Sequence, residues 1–164
     1  MNRAAFALRH ELIPGDVGAI VQQHGAVYAR ELKFDLRFEA YVAGPLADLV
    51  IDPNPRSRVW IAETNYKFAG CAAVVERTDT EALFRWFLVL PEYRGKGLGQ
   101  WLLDEALAYA RDQKYETVSL WTVDLLRDAA RLYVEAGFRL AEEKPGAPWG
   151  VQLTEQKYVL NLLG

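Results

Sequence analysis

A glycine-rich stretch, YRGKGLGQWL at residues 93–102, has the composition of a phosphate-binding loop. Its small and cationic members are Arg94, Gly95, Lys96, Gly97 and Gly99. Glycine lets the backbone approach a phosphate closely, and the unpaired N–H groups at the start of a following helix attract anions. We therefore expect a pyrophosphate to bind the backbone of this loop. A glycine turn that only caps a helix is the structural alternative.

Two well-known phosphate-binding patterns do not fit this stretch. The P-loop pattern G-x-x-x-x-G-K-[ST] is absent. The dinucleotide fingerprint G-x-G-x-x-G, started at Gly95, needs a third glycine where the chain has Gln100. The pattern that remains is R-x-x-G-x-G, which is fitted by Arg94, Gly97 and Gly99.

The composition limits the number of domains and the functional classes that are compatible with the chain. The chain has 164 residues, of which 51% are hydrophobic and 12% aromatic, so we expect one domain, 1–164, with a packed core. A net charge of −3 argues against a nucleic-acid-binding surface. Cys71 is the only cysteine and lies in an apolar run, so it is expected to be a small buried residue.

Two features that the sequence lacks bear on its cofactors and on its location in the cell. The cysteine and the histidines have no metal-site spacing, so no metal is expected. The apolar stretch at the N-terminus is too short for a signal peptide or a membrane span. We therefore expect a cytoplasmic protein without a membrane or nucleic-acid partner.

The positioning elements can be traced from the apolar periodicity. A short strand, FALRHEL, precedes PGD, with Asp16 as a candidate helix cap, and two helical patterns follow. Next come the strands VWIAET, KFAGCAAVVER and ALFRWFLVL, the last of which is apolar on both faces and is expected in the centre of a sheet. A helix from Gly97, the strand TVSLWTV, a helix ending at Gly137 and two strands complete the order β-α-α-β-β-β-α-β-α-β-β.

The segments FLVLPEYRGKGLGQWLLDEAL and ARLYVEAGF, together with this order, resemble the GNAT superfamily of N-acetyltransferases. The segments HGAVYARELKFDLRFEAYVA and LWTVDLLRDAARLYVEAGFRL are similar to GNAT domains often fused to MarR-type regulators, although 164 residues leave no room for a regulator domain. The resemblance covers nearly the whole chain. It implies an α/β (α+β) fold with a mixed, mostly antiparallel central sheet and helices on both faces.

The resemblance also implies that acetyl-CoA binds as a co-substrate. It assigns this contact to the following residues: Leu88, Val89, Arg94, Gly95, Lys96, Gly97, Leu98, Gly99 and Gln100. A splay between their strand and TVSLWTV would admit the pantetheine arm. A backbone N–H near Leu88 or Val89 would then face the thioester oxygen. One departure from the family is Leu126, where many members have an Asn.

Tyr133 matches the family tyrosine that protonates the departing thiolate. Its ordinary pKa near 10 keeps the hydroxyl protonated at neutral pH, as a general acid requires. The alternative for a tyrosine on a helix is a half-buried packing residue.

The sequence leaves the base that deprotonates the amine open. Some family members carry a Glu on the strand before the loop, whereas residues 83–90 contain only one charged residue, Arg85. The candidates are His24, Glu31 and Glu39 in the N-terminal helical region. Glu39 has the best claim because aromatic residues flank it. His24 is expected to take a proton near neutral pH, since its ordinary pKa is about 6.5, and a solvated helix face is the equally weighted alternative. A water chain without a dedicated base is equally compatible.

The acceptor side is indicated only by residue types. The candidate substrate-binding residues are His24, Tyr28, Phe38, Trp121 and Trp149, which suit a small amine. Phe38 and Trp121 fit an ordinary core equally well. The sequence thus indicates an acyltransferase that acetylates a primary amine of a small molecule, with Tyr133 and Glu39 as catalytic candidates. The alternative is a non-catalytic acyl-CoA-binding or sensor module, and a homodimer is left open.

Overall fold

The computed structural model describes residues 3–164, in which the elements follow the predicted order. They are β1 (Ala7–Arg9), α1 (Asp16–Leu32), α2 (Leu36–Ile51), β2 (Arg58–Thr64), β3 (Lys67–Glu76), β4 (Glu81–Val89), α3 (Leu98–Asp112), β5 (Thr117–Val123), α4 (Arg127–Glu135), β6 (Arg139–Gly146) and β7 (Leu153–Asn161). Short 3₁₀ turns occupy Arg3–Ala5 and Pro91–Tyr93.

The strands form a seven-stranded sheet in the order β1-β2-β3-β4-β5-β7-β6. The β4–β5 pair is parallel, and the other neighbouring pairs are antiparallel. The predicted mixed, mostly antiparallel sheet is therefore confirmed. β4 lies in the middle of the sheet, as its apolar residues on both faces predicted.

The two faces of the sheet carry separate apolar clusters. One cluster joins α3 and α4 to the sheet, and it includes Phe84 of β4 and Tyr133 of α4. The other joins α1 and α2 to the opposite face, and it includes Leu88 of β4. Cys71 is fully buried in this second cluster, as expected. Each face therefore brings a different pair of helices to the middle of β4.

The prediction that Asp16 caps α1 is wrong. Gly15 holds the N-cap position without a side-chain cap, and Asp16 is the first helical residue. Its carboxylate accepts hydrogen bonds of 2.7 Å from both terminal nitrogens of Arg9 and from the N–H of Ile13. Asp16 therefore fastens the start of α1 to β1 instead of closing the helix end.

The centre of the sheet is opened by a divergence between β4 and β5. These strands pair only from Glu81–Leu83 to Thr117–Ser119, and beyond these residues they separate. The β3–β4 register shifts between Cys71 and Ala73, opposite Trp86, whose φ is +49°. This bulge puts Arg85 and Trp86 on the same face, since Arg85 pairs with Ala73 of the α1–α2 cluster and Trp86 belongs to that cluster.

Candidate functional site

A cavity of about 680 Å³ lies where β4 and β5 separate. Its walls are residues 83–89 of β4, residues 120–123 of β5, the segment from Leu125 into α4, and parts of α1 and α2. A volume of this size lies within the range of small-molecule and cofactor sites. The cavity reaches both helix layers because the divergence interrupts the sheet between them.

Five aromatic side chains line the α1–α2 side of the cavity and form what we call the aromatic box: Tyr28, Phe34, Phe38, Tyr41 and Trp149. Their ring centres lie close together, for example 4.7 Å between Tyr28 and Phe38 and 5.3 Å between Tyr41 and Trp149. Such tilted contacts stabilise the rings against one another and fix their positions. The box is therefore a preformed apolar surface facing the strand divergence.

The structure brings the predicted substrate-binding residues together. His24, Tyr28, Phe38, Trp121 and Trp149 all line the cavity, although they come from four separate segments of the chain. Trp121 is 38% exposed, whereas Phe38 and Trp149 are buried. Burial raises the pKa of Tyr28 to about 12, so its hydroxyl stays protonated.

The expectation that His24 titrates near neutral pH is wrong. The ring is 3% exposed, and burial lowers its pKa to about 4. Nδ1 lies 2.8 Å from the carbonyl oxygen of Ile20. A carbonyl can only accept, so Nδ1 carries the proton and Nε2 keeps the lone pair. His24 is therefore a neutral, weakly basic group at the cavity wall.

Lowering the pH from about 6.5 to about 4 is expected to destabilise the parent chain more than a His24→Gln variant. In this window the unfolded chain protonates His24, whereas the folded chain, with a pKa of about 4, does not. Stability should therefore fall as the pH falls, by up to about 1.4 kcal/mol per pH unit. Urea unfolding of both proteins across this window measures the difference, and equal pH dependences would contradict the assignment.

Glu39 does not lie in the cavity wall, which corrects its assignment as a catalytic residue. Its carboxylate packs against Gly25 so closely that a Cβ at that position would overlap it. The residue therefore faces the crossing of α1 and α2, because its helical position points it away from the side that carries Phe38 and Tyr41. Sequence proximity to aromatic residues was a poor guide, since neighbours on a helix point in different directions.

Glu31 does line the cavity, but it is held in an ion pair. Its two carboxylate oxygens accept hydrogen bonds of 2.6 and 2.7 Å from Arg94. The Arg94 guanidinium lowers the pKa of Glu31, which weakens it as a base. The same pair ties α1 to the glycine-rich loop.

The guanidinium of Arg94 is thus already engaged within the chain. Besides Glu31, it donates a hydrogen bond of 3.1 Å to the carbonyl of Val89. The side chains of the ion pair are 46% and 34% exposed, and exposed pairs are worth about 0–1 kcal/mol. A phosphate would therefore compete with Glu31 for Arg94 at little cost.

The glycine-rich loop presents the start of α3 to solvent. Gly97 occupies the N-cap position with φ +82°, and no side chain caps this end of the helix. The first intrahelical bond runs from the Trp101 N–H to the Gly97 carbonyl. The N–H groups of Leu98, Gly99 and Gln100 therefore have no acceptor within the helix, and they are suited to an anion.

Tyr133 lies on α4 and reaches the cavity from the α3–α4 side. Its ring lies 6.2 Å from Phe87 of β4 and 6.1 Å from Tyr158 of β7, measured between ring centres. Burial raises its pKa well above the ordinary value, so the hydroxyl is protonated at neutral pH. The helix continues to Glu135, and Gly137 with φ +102° follows the C-cap residue Ala136.

Several charged residues of the cavity wall were not predicted as site residues, among them Arg85 on β4 and Glu155 on β7. Arg85 could have been noticed as the charged residue in an apolar strand. Glu155 belongs to no motif, and its position depends on the pairing of β7 with β5. Leu126, the departure from the family pattern, lines the cavity and leaves the N-cap of α4 without a side-chain hydrogen bond.

Trp86 is a strained residue at the same place. Its positive φ is an outlier for a bulky side chain, and strain of this kind is concentrated at functional sites. Its indole N–H is buried without a hydrogen-bond partner in the part of the chain that the structure describes. The bulge is therefore maintained at an energetic cost.

The class of protein to which the chain belongs is shown by its match to a family model. A family model described as the acetyltransferase (GNAT) family matches residues 25–138, which is more than half of the chain. The chain therefore belongs to the GNAT acetyltransferase family, whose members use acetyl-CoA.

Curated relatives match part of the chain. It is 33% identical over 92 residues to N-acetyltransferase 8F1 of Rattus norvegicus, covering 52% of this chain and 41% of the relative. It is 31% identical over 91 residues to an uncharacterised N-acetyltransferase of Archaeoglobus fulgidus, covering 51% of this chain and 61% of the relative. The chain thus spans less than two thirds of the length of these relatives.

Solved structures share the fold over 96% of the chain. An acetyltransferase from Streptococcus agalactiae has a TM-score of 0.79 at 22% identity, with 99% of that chain covered. A Salmonella typhimurium protein solved with its cofactor acetyl-CoA has a TM-score of 0.78 at 20% identity, with 94% covered. Spermidine N-acetyltransferase from Vibrio cholerae, in complex with CoA and spermine, has a TM-score of 0.73 at 20% identity, with 96% covered.

Two kinds of feature are absent from residues 3–164. No helix there is long and apolar enough to cross a membrane. No group of three or more His, Cys, Asp or Glu side chains in this range could hold a metal ion.

Proposed function

We propose that the chain is an N-acetyltransferase that moves the acetyl group of acetyl-CoA to a primary amine of a small molecule, with Tyr133 as general acid. The observation that carries the proposal is the cavity at the β4–β5 divergence, which joins the Tyr133 side to the aromatic box. One continuous cavity lets an amine on one side of the sheet reach a group held on the other.

The residues present fit acetyl-CoA. When bound, this co-substrate supplies the acetyl group as a thioester. The N–H groups of residues 95–100 would hold its pyrophosphate, and Arg94 and Lys96 would add positive charge. The β4–β5 ladder ends at Leu83, so the backbone from Phe84 to Val89 has an edge open to the cavity. This edge would contact the pantetheine arm, with an N–H of Leu88 or Val89 facing the thioester oxygen.

The chemistry requires one bond to form and one to break. The lone pair of the neutral amine attacks the thioester carbon, so that the C–N bond forms and the C–S bond breaks. The nitrogen releases a proton to water, the Tyr133 hydroxyl gives its proton to the departing sulfur, and the resulting phenolate regains a proton from the same solvent. The Tyr133 hydroxyl is protonated at neutral pH, as a donor must be, and its burial at the cavity makes the thiolate leaving group its nearest acceptor in this proposal.

Features outside the site agree with a small-molecule enzyme. We propose that residues 1–164 form one acetyltransferase domain, since one sheet extends through the described chain. The Vibrio cholerae neighbour is a spermidine N-acetyltransferase, which supports an amine acceptor in this fold. A homodimer and a cytoplasmic location belong to the same proposal.

The test is a screen of amines with acetyl-CoA, read by mass detection of acetylated products and by release of the CoA thiol. We expect one or more amines to be acetylated at a rate proportional to protein concentration. Calorimetry of CoA binding on the same sample separates the alternatives. Binding of CoA without transfer to any amine would favour the non-catalytic acyl-CoA sensor. The absence of both would contradict the proposal.

A further inference from the structure

Two oppositely charged side chains, Arg85 and Glu155, line the cavity without an ion-pair partner among residues 3–164. Both are half-buried. A half-buried charge without a partner is costly, so such groups are commonly matched by a ligand. In lacking a partner inside the cavity, Arg85 and Glu155 differ from the other charged residues of its wall.

The remaining charges are either paired or lie at the mouth. Arg77 lies 3.7 Å from Glu81, and Arg94 holds Glu31. Two more line the cavity at the exposed start of α4, Arg127 and Asp128. Arg85 and Glu155 are thus the unmatched charges inside the α1–α2 side of the site.

The strand register puts both side chains on the face covered by α1 and α2. Arg85 pairs with Ala73, which packs in the α1–α2 cluster. Glu155 pairs with Val123, which belongs to the same cluster. Directly paired residues point to the same face of a sheet. β5 lies between the two strands and diverges from β4, so the backbones of Arg85 and Glu155 flank the cavity at least about two strand spacings (~10 Å) apart.

The surroundings of the two charges differ. The guanidinium carbon of Arg85 lies 5.0 Å from the ring centre of Trp86 and 5.8 Å from that of Tyr41. These contacts hold the guanidinium beside the aromatic box. Glu155 lies opposite Lys144 of the edge strand β6 in the register, yet the two do not approach within ion-pair distance. Its carboxylate is therefore available to a cation in the cavity.

Building on the proposed N-acetyltransferase function, we infer that the acceptor is an α-amino acid with an apolar or aromatic side chain. Arg85 binds its carboxylate, Glu155 attracts its ammonium group, and the aromatic box takes its side chain. The planar fork of an arginine matches a carboxylate with two parallel hydrogen bonds. The register supports the arrangement: Glu155 is level with Val123 at the open end of the β4–β5 divergence, close to the proposed thioester position.

The same charges disfavour a polyamine acceptor. A polycation such as spermidine needs several carboxylates, whereas, within the described part of the chain, the unpaired charges on the α1–α2 side of the site are one carboxylate, Glu155, and one arginine, Arg85. Like charges in a shared site repel, and the repulsion is stronger in a half-buried site than in water. The acceptor specificity is therefore expected to differ from that of the spermidine enzyme of the same fold.

The experiment measures acetyl transfer to matched pairs of acceptors at saturating acetyl-CoA. The probes are leucine, methionine and phenylalanine, each compared with its decarboxylated amine, and spermidine. We expect kcat/KM to be higher for the amino acid of at least one pair, by about 10- to 100-fold, because a charge-assisted hydrogen-bond pair is lost with the carboxylate. Equal or better transfer to the decarboxylated amines, or to spermidine, would overturn the inference and leave the proposed function standing.

Substitutions of Arg85 and Glu155 test whether these residues cause the preference for an amino acid over its decarboxylated amine. Arg85→Gln should raise KM for the preferred amino acid by about 10- to 100-fold, whereas kcat/KM for its decarboxylated amine should not fall, because a positive charge that repels the amine is removed. Arg85→Lys should restore part of the loss, since it keeps the charge without the fork. Glu155→Gln should weaken both members of a pair, because both carry the ammonium. Arg139→Gln, on the exposed edge strand, is the matched control and should change nothing.

A separate measurement covers the case in which no amine is acetylated. The chain saturated with CoA is then titrated with the same amino acids and amines by calorimetry. Tighter binding of an amino acid than of its amine, abolished by Arg85→Gln, would support the carboxylate site while the proposed transfer fails. Equal binding, or none, would reject the inference as well.

Discussion

Replacing Tyr133 by Phe is expected to lower kcat by about 10²- to 10⁴-fold, the usual contribution of a general acid. The substitution removes only the hydroxyl, so the ring contacts with Phe87 and Tyr158 remain and the fold should be unchanged. Affinity for CoA should change little, because the glycine-rich loop that is proposed to hold it lies on another element. Steady-state kinetics with the preferred amine, combined with calorimetry of CoA, measures both quantities.

Tyr158→Phe is the matched control for this experiment. Tyr158 is a buried neighbour of Tyr133 that is not part of the cavity wall, so loss of its hydroxyl should leave kcat unaltered. Because burial raises the pKa of Tyr133, no loss of activity from its ionisation should appear below its ordinary pKa of about 10. A Tyr133→Phe variant with the parental kcat would reduce this residue to a packing role.

Substituting Gly97 by Val is expected to raise the Kd for CoA by at least about 100-fold. Gly97 has φ +82° at the N-cap of α3, a conformation that a β-branched residue can hardly adopt. The loop must therefore rearrange, and the N–H groups of Leu98 and Gly99 would no longer point to one anion. Losing two charge-assisted hydrogen bonds accounts for a change of this size. Calorimetry of CoA with the parent and the variant gives the ratio directly.

Two controls distinguish a local change in the glycine-rich loop from a loss of the whole fold. Gly18→Val places the same residue at an exposed helical position with open space around it, and it should leave the Kd unchanged. Circular dichroism should show that Gly97→Val retains its secondary structure, since the loop is at the surface. Unchanged CoA affinity in a folded Gly97→Val protein would mean that the pyrophosphate binds elsewhere.

Local sequence determined the elements of this protein to a large extent. Strand ALFRWFLVL is apolar on both faces, and β4 is indeed the middle strand of the sheet. The turn after α4 needed Gly137, which has φ +102°. These features depend on periodicity and on backbone conformations that only certain residues adopt, so neighbouring residues suffice to predict them. The start of α1 was an exception. The Asp16 carboxylate accepts hydrogen bonds from Arg9 of β1 and does not cap its own helix.

Only the tertiary structure decided the chemical state and the neighbours of the site residues. His24 has the residue type of a base, yet burial lowers its pKa to about 4. Glu39 is adjacent to Phe38 in sequence and still points away from the cavity, whereas Glu155, remote in sequence, reaches it through the pairing of β7 with β5. Residue type and order follow from the chain itself. Desolvation and long-range pairing depend on which distant segments pack together, and a single sequence does not reveal these contacts.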